Sequence, residues 1–316
     1  MRLDHIGYAC INQTLRNTKP AKYAVFCGRS LTKKCFTLQE ASSRALANSL
    51  DLLTILKWNE QHNIRCFRIS SDLFPRFTCG DFGYKFEDLP DARAIRYTLK
   101  ECGDWAFKHQ HLLSFHPAQF TTLASPTEKA LYNGTKEFLY HNLLCDLIDP
   151  DNKLQIDINI HVGGTYGGNF EATSKRFIAT YKSLPESAQK RMCLENDDKR
   201  GLGGWSTQRL YNLIYQEIGV PLTWDSHHSM FSREEDFGYE EEFLLSKSTW
   251  NRPMQVHHSE SRFPDKLVPA HSDYYTKPIP SFVTDCDNVY VHLEVKQKEL
   301  ALFKYLNDFS KEIKLA

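Results

Sequence analysis

The sequence predicts an α/β chain that closes as a single (β/α)8 TIM barrel over residues 1–316. Three observations predict it. Short β-prone runs alternate eight times with helix-spaced segments, and no long Ser/Gly/Pro linker divides the chain. The first strand ends in Tyr8-Ala9-Cys10-Ile11-Asn12, without the G-x-G-x-x-G turn by which an open doubly wound sheet usually announces itself.

In order, the runs with strand character are 5–10, 65–69, 111–115, 157–161, 192–195, 222–225, 255–258 and 289–295. Each is short and carries Ile, Val, Leu or aromatic residues, as strands covered on both faces do. Over 46–58, Leu46, Leu50, Leu53 and Leu56 trace a helical stripe. Further helical spacing covers 91–109, 127–147, 170–184, 206–217 and 240–248, and Leu300, Phe303, Leu306 and Phe309 mark the last helix. The seventh unit is the exception. Beyond His258 the chain is polar and Pro-rich as far as Pro280, so its helix is expected to be degenerate. The loops 19–36 and 76–86 are long and basic-aromatic, as substrate-contacting insertions would be.

Composition bounds the rest. At 41% hydrophobic and 25% charged the chain is globular, neither disordered nor collagen-like. No stretch reaches the ~18 apolar residues of a membrane span. The segment Met1-Arg2-Leu3-Asp4-His5 carries charge where a signal peptide has an apolar core. A cytoplasmic or nucleoid setting with no membrane partner is expected. With 39 basic and 39 acidic side chains there is no net charge, which disfavours histone-like binding. A nucleic-acid face completed by bound cations stays open. The nine cysteines are odd in number and contain no C-x-x-C pair, so neither a zinc ribbon nor a disulfide framework is expected, and a reducing compartment is.

The chemistry gathers where strands stop. The third runs into His116, the fourth into His161, the fifth into Glu195 and the sixth into Asp225; the seventh carries His257 and the eighth Glu294. His228 follows Asp225 in an Asp-x-x-His spacing. In a barrel these ends ring one mouth, so side chains about 180 residues apart converge there. Imidazoles and carboxylates without thiolate suit Mn²⁺, Zn²⁺ or Fe²⁺, and seven donors exceed the needs of one ion. Two or three clustered divalent ions with a bridging carboxylate are therefore expected. A lone His or Asp at a strand end is usually a satisfied packing residue. Six consecutive strand ends are much harder to obtain by chance.

Other signals are weaker. Gly163-Gly164 and Gly167-Gly168 read as a tight loop before they read as a phosphate cradle. Asp197 and Asp198 read as loop hydrogen bonding or capping. Lys199, Arg200 and Trp205 combine charge with a stacking surface, as a DNA contact would, and equally suit a solvated loop.

With those residues in view the chain resembles the ultraviolet damage endonuclease family, which serves alternative excision repair. The matching stretches are Arg68-Ile69-Ser70-Ser71-Asp72-Leu73-Phe74-Pro75, His116-Pro117-Ala118-Gln119, Ile160-His161-Val162-Gly163-Gly164 and Leu194-Glu195-Asn196-Asp197-Asp198. They continue with Trp224-Asp225-Ser226-His227-His228, His257-His258-Ser259-Glu260, Ala270-His271-Ser272-Asp273-Tyr274 and Leu293-Glu294-Val295-Lys296, in family order along nearly the whole chain. The resemblance implies a barrel similar to apurinic-site endonucleases. It implies an enzyme that nicks damaged double-stranded DNA immediately 5′ of cyclobutane dimers and 6-4 photoproducts, leaving 3′-hydroxyl and 5′-phosphate ends, with manganese the usual ion. Matched by motif, His116, His161, Glu195, Asp225, His228, His257 and Glu294 would hold the metals. Gln119 and Phe120 would push between bases opposite the lesion, Tyr8 and Asn12 would approach from the other side, and His271 would lie beside the scissile phosphate. Three positions depart from the family's common residues: Phe120 replaces a tyrosine, Gln255 a lysine near the metals and Cys79 a histidine.

The implied chemistry is phosphodiester hydrolysis with clustered ions ~3.5–4 Å apart. Glu195 would be the bridging carboxylate, and His271 an electrostatic stabiliser or general acid for the leaving 3′-oxygen. Selectivity would rest on the deformability of damaged DNA. Two other readings share the strand-end ligands. One is a divalent-metal sugar isomerase, which would not need Gln119-Phe120 or the basic-aromatic loops. The other is a non-catalytic damage-binding module. No protein partner is implied.

Overall fold

Eight parallel strands close on themselves in the computed structural model, which describes residues 2–80, 83–199 and 203–309. In chain order the strands are β1 (Ile6–Ala9), β2 (Cys66–Ile69), β3 (Leu112–Phe115), β4 (Asp157–Ile160), β5 (Met192–Glu195), β6 (Leu222–Asp225), β7 (Met254–His258), β8 (Ser261–Phe263), β9 (Lys266–His271) and β10 (Val289–Leu293). The barrel order is β1-β10-β7-β6-β5-β4-β3-β2, and β8 pairs with β9 as a separate antiparallel hairpin. All eight barrel strands lie within two residues of where the alternation places them.

The helices are α1 (Gln13–Arg16), α2 (Leu38–Gln61), α3 (Ala92–Lys108), α4 (Glu128–Ile148), α5 (Phe170–Ser183), α6 (Glu186–Arg191), α7 (Thr207–Leu210), α8 (Gln216–Ile218), α9 (Ser226–Ser232), α10 (Tyr239–Ser248), α11 (Ser281–Thr284) and α12 (Lys298–Phe309). Side chains start several of them: Thr37 accepts from Glu40 N at 3.1 Å before α2, and Asn169 accepts from Ala172 N at 2.9 Å before α5. Helix α2 begins well before the Leu46 stripe because its first turns bury Ala41, Ser42 and Ala45, small residues that no hydropathy stripe marks. The segment expected as one helix over 206–217 is α7, a π-helical turn at Tyr211–Tyr215 and α8, ending at Gly219 with φ 68°. Among the described residues no helix is long and apolar enough to cross a membrane.

The seventh unit does degenerate: its helix is the four-residue α11. The β8–β9 hairpin before it is an addition to the expected plan. Pro264 and Pro269 argue against strands in the sequence, yet an isolated hairpin at the rim has free edges where proline is tolerated.

What fills the barrel sets up the site. Phe67, Leu113, Phe115, Ile158, Leu194, Trp224, Val256 and Val291 belong to the apolar core. The residues alternating with them along the strands point to the barrel axis, since successive side chains take opposite faces. That inner layer is polar where (β/α)8 barrels usually carry Val, Ile and Leu. Ser114 Oγ lies 2.9 Å from His292 Nε2, Cys66 Sγ 3.5 Å from His292 Nδ1, and Cys193 Sγ donates to Asn159 Oδ1 at 3.5 Å. At the first strand, Gly7 is required by a close approach: a Cβ there would sit 1.8 Å from the Cys66 carbonyl oxygen.

Candidate metal centre at the barrel mouth

The strand ends deliver their donors to one point because parallel strands in register finish at one level. Asp225 pairs in register with His257, and Glu195 with Thr223, two residues before Asp225. His116, His161 and Glu294 each stand one residue beyond the end of β3, β4 and β10. His228 arrives differently. Asp225 Oδ1 accepts from both His227 N and His228 N at 2.7 Å, which caps α9 and brings His228 round the first turn.

Glu195 lies at the centre and is fully buried. Its Oε2 is 3.0 Å from His116 Nε2 and 3.0 Å from His257 Nδ1; its Oε1 is 3.0 Å from His228 Nδ1 and 4.0 Å from His161 Nε2. Asn159 Nδ2 donates to Oε2 from below. Glu294 Oε1 is 3.0 Å from His257 Nδ1 and is paired with Arg68. Donor atoms of His116, His161 and Glu195 lie within 4.8 Å of one another, as do those of Glu195, Asp225 and His257. Two three-donor groups therefore share one carboxylate.

These residues fit divalent cations on a specific observation. Glu195 Oε1, Asp225 Oδ2 and His257 Nδ1 are buried and have no hydrogen-bond partner of acceptable geometry among the described residues. Leaving such atoms unmet costs about 1–3 kcal/mol each, more for charged groups. Atoms that are close yet misaligned for hydrogen bonding are arranged like ligands around shared points. All seven donors named from the sequence stand at this mouth.

Proton affinities follow from the crowding. Burial works against the Glu195 charge, but the imidazoles of His257, His161 and His116 hold its carboxyl well below the usual carboxylate range. Glu294 is likewise opposed by burial and held well below it by Arg68 and His257. For His161, burial pulls down, yet Glu195 and Asp197 outweigh it and raise the imidazole to about 9. His228 is opposed by burial but raised well above its ordinary value by Asp225 and Glu195. Burial wins at His116, which is lowered. Carboxylates here attract positive charge, which protons or metal ions can supply in competition.

The mouth opens into a cleft of about 560 Å³ lined among others by Arg68, Gln119, Phe120, Lys199, His271 and Glu294. Gln119 and Phe120 are exposed, Phe120 at 80%. His271, at the end of β9, places Nδ1 2.6 Å from the Glu294 carbonyl. A second hollow of about 370 Å³, lined by Asn12, Arg16, Phe26, Asp72 and His116 among others, adjoins it.

Several expectations are corrected. Tyr8 is fully buried, donating to Asn59 Oδ1 at 2.7 Å and accepting from Asn12 Nδ2 at 2.8 Å. Asn12 is 2% exposed and caps α1 through Leu15 N at 2.8 Å. As placed, Tyr8 braces the first loop with its hydroxyl taken up by Asn59 and Asn12, while Asn12 also lines the hollow beside the mouth. Trp205 is no stacking surface: it is fully buried and its Nε1 donates to the Gly163 carbonyl at 3.1 Å. Lys199 is exposed at the cleft, while Arg200 lies outside the described residues. Asp197 accepts from Trp205 N at 3.2 Å and also stands 3.1 Å from His161 Nδ1, so it both holds the loop and orients a donor.

The sequence reading assigned no role to Arg68, Asn159 or His292. Their signal was present: polar residues at every second position of strands in an all-parallel sheet, whose outer face is covered by helices, must face the axis.

Known proteins resemble nearly the whole chain. The family model described as UV-endonuclease UvdE matches residues 4–315. A UV-damage endonuclease of Schizosaccharomyces pombe is 33% identical over 316 residues, spanning 95% of this chain and 49% of that protein. A UV DNA damage endonuclease of Clostridium perfringens is 28% identical over 320 residues, spanning 98% and 71%. The chain thus spans about half the length of the fungal relative. Among solved structures, SacUVDE matches with a TM-score of 0.82 at 26% identity over 98% of both chains.

Proposed function

The chain belongs to the UV-endonuclease UvdE family, and from that membership we propose that it is a DNA repair endonuclease. It hydrolyses one phosphodiester immediately 5′ of ultraviolet photoproducts, cyclobutane dimers and 6-4 photoproducts, in double-stranded DNA. The products carry 3′-hydroxyl and 5′-phosphate ends. The observation that carries the reading is Glu195, buried among four imidazoles with Asp225 Oδ2 unpartnered beside it.

His116, His161, Glu195, Asp225, His228, His257 and Glu294 would hold two or three divalent ions, Mn²⁺ first, with Glu195 shared between them. Bound there, such ions supply Lewis-acid charge and lower the pKa of bound water. The protein's own groups do the rest. Arg68 fixes the Glu294 carboxylate, and Asn159 fixes Glu195. His271 gives its Nδ1–H to the Glu294 carbonyl, which leaves Nε2 for the leaving 3′-oxygen. Lys199, exposed at the cleft, meets the phosphate backbone, with Arg200 following it in sequence. Gln119 and Phe120 are the exposed wedge that fills the gap left by an extruded lesion, with stacking of ~1–3 kcal/mol per base offsetting part of the extrusion cost.

A duplex with one defined cyclobutane dimer, incubated with Mn²⁺ and mapped at nucleotide resolution, tests this. A single nick 5′ of the dimer with a polymerase-extendable 3′ end is expected, lost with chelator and in Glu195→Gln. Equal nicking of the undamaged duplex, or no nick with any divalent metal, overturns the reading.

A further inference from the structure

Beneath the mouth a file of polar groups crosses the barrel. His257 Nε2 lies 3.1 Å from Gln255 Nε2, and Gln255 Oε1 lies 3.4 Å from the Tyr290 hydroxyl. That hydroxyl lies 3.1 Å from Asp157 Oδ2, and Asp157 Oδ1 accepts from Arg252 at 2.7 and 3.1 Å. Gln255 and His257 are fully buried, and Tyr290 and Asp157 nearly so. Strand register pairs Tyr290 with Gln255 and His292 with His257, which sets these side chains next to one another. A packed aliphatic layer would cost less than burying an amide, a phenol and an ion pair. The file therefore needs a use.

Counting donors along it supplies one. Arg252 and Gln155 both donate to Asp157 Oδ1, and the other oxygen of that ion-paired carboxylate, Oδ2, is left to accept from Tyr290. The single Tyr290 hydrogen goes to Asp157, the closer and charged acceptor. The Tyr290 oxygen is then left to accept, which asks for the N–H end of the Gln255 carboxamide. A carboxamide can present either end within one outline, so its neighbours decide its sense. With N–H toward Tyr290, the Gln255 oxygen faces His257 Nε2 and takes its N–H. That leaves His257 Nδ1 with a bare lone pair, 3.0 Å from both Glu195 and Glu294, in the form that binds a cation.

We infer that Arg252, Asp157, Tyr290 and Gln255 form a one-way hydrogen-bond file that presents His257 Nδ1 to a divalent cation. The two ends of Gln255 make it the reversible element. In the placement observed, its nitrogen lies 3.1 Å from His257 Nε2; with a cation at Nδ1 the carboxamide is turned over, so that its oxygen takes the Nε2 hydrogen. These are positioning residues, and the inference rests on the strand-end donors holding divalent ions.

The test is Mn²⁺ titration by calorimetry of the whole chain, alongside thermal melts without metal. A second readout is ¹⁵N-histidine NMR with diamagnetic Zn²⁺, which reports the ring nitrogen bearing hydrogen. Tyr290→Phe removes one oxygen with little change of shape, and Gln255→Leu removes both ends of the amide. Each is expected to weaken Mn²⁺ binding about 10–100-fold. Gln255→Glu, which still presents an acceptor to Nε2, is expected to bind within about threefold of wild type. The wild-type Zn²⁺ spectrum should show His257 with its hydrogen on Nε2, and Tyr290→Phe should lose that preference. If Tyr290→Phe binds Mn²⁺ as wild type does, or if the Zn²⁺ form keeps hydrogen on Nδ1, the file has no such role. If the wild-type chain binds no Mn²⁺, the metal reading itself falls and takes this inference with it. Should Gln255→Leu fail to fold, Tyr290→Phe and Gln255→Glu decide alone.

Discussion

In the proposed metal centre Asp225 divides a helix cap from a cation ligand within one side chain, which makes Asp225→Asn the most informative substitution. Oδ1 caps α9 by accepting from His227 N and His228 N, each at 2.7 Å, while Oδ2 is buried and unpartnered. Asparagine keeps the capping oxygen and is as good a cap as aspartate, so apo stability should change by no more than about 0.5 kcal/mol. It also withdraws one negative charge from a mouth that already holds Glu195 and Glu294. Asp225→Ala, by contrast, removes the cap and should cost about 0.5–2 kcal/mol. Toward a cation the asparagine loss is large. A unit charge ~4 Å from a positive charge at an effective dielectric of ~20 is worth about 4 kcal/mol, and retaining only a third of that still corresponds to about tenfold in affinity. Calorimetric Mn²⁺ titration and apo thermal melts of both variants are the assay. Asp225→Asn should melt like wild type and bind at least about tenfold more weakly. Wild-type Mn²⁺ affinity in Asp225→Asn would refute the reasoning about Oδ2. An apo destabilisation matching Asp225→Ala would show the charge to be structural.

Two further outcomes follow from exposure and charge. Phe120 is 80% exposed, so Phe120→Ala should leave the melting temperature unchanged while the kcat/KM ratio of dimer-bearing to intact duplex falls about 5–150-fold, the equivalent of ~1–3 kcal/mol; an unchanged ratio removes the wedge. At the other end of the barrel, hydrogen bonding from Arg65 outweighs the burial that opposes it and holds Glu60 at about 2, with His111 helping. A depressed carboxyl stabilises the fold above its ordinary value of 4.5 and loses that contribution as pH falls toward 2. Urea unfolding should therefore show wild type losing more stability than Arg65→Ala between pH 7 and pH 3, and equal losses would contradict the assignment.

The strands were legible because each is a brief apolar run between helical stripes, a local property. The donors were legible because the fold itself maps strand ends to one rim, so that His116 and Glu294 could be grouped before any coordinates. The β8–β9 hairpin was not, since Pro264 and Pro269 mask strand character that a two-stranded hairpin with free outer edges tolerates. Tyr8 and Trp205, both fully buried, were misplaced for a related reason: an aromatic residue near a strand end has the same letters whether it faces solvent or a neighbouring loop. Gln255 was read as a departure from a family pattern, and its contacts with His257 and Tyr290 needed the register between β7 and β10.

By itself the sequence determined the order of the eight barrel strands, the seven side chains that meet at their ends and the family to which the chain belongs. Those are properties of short segments and of residue type. Only the tertiary structure decided which atoms meet. Glu195 stands among four imidazoles, Asp225 divides its oxygens between a helix cap and the mouth, and a polar file supports His257 from below. The physical reason is that a strand's side chains alternate faces. Which face lines the axis, and which neighbour stands opposite, is settled when β1 closes against β10 across almost the whole chain.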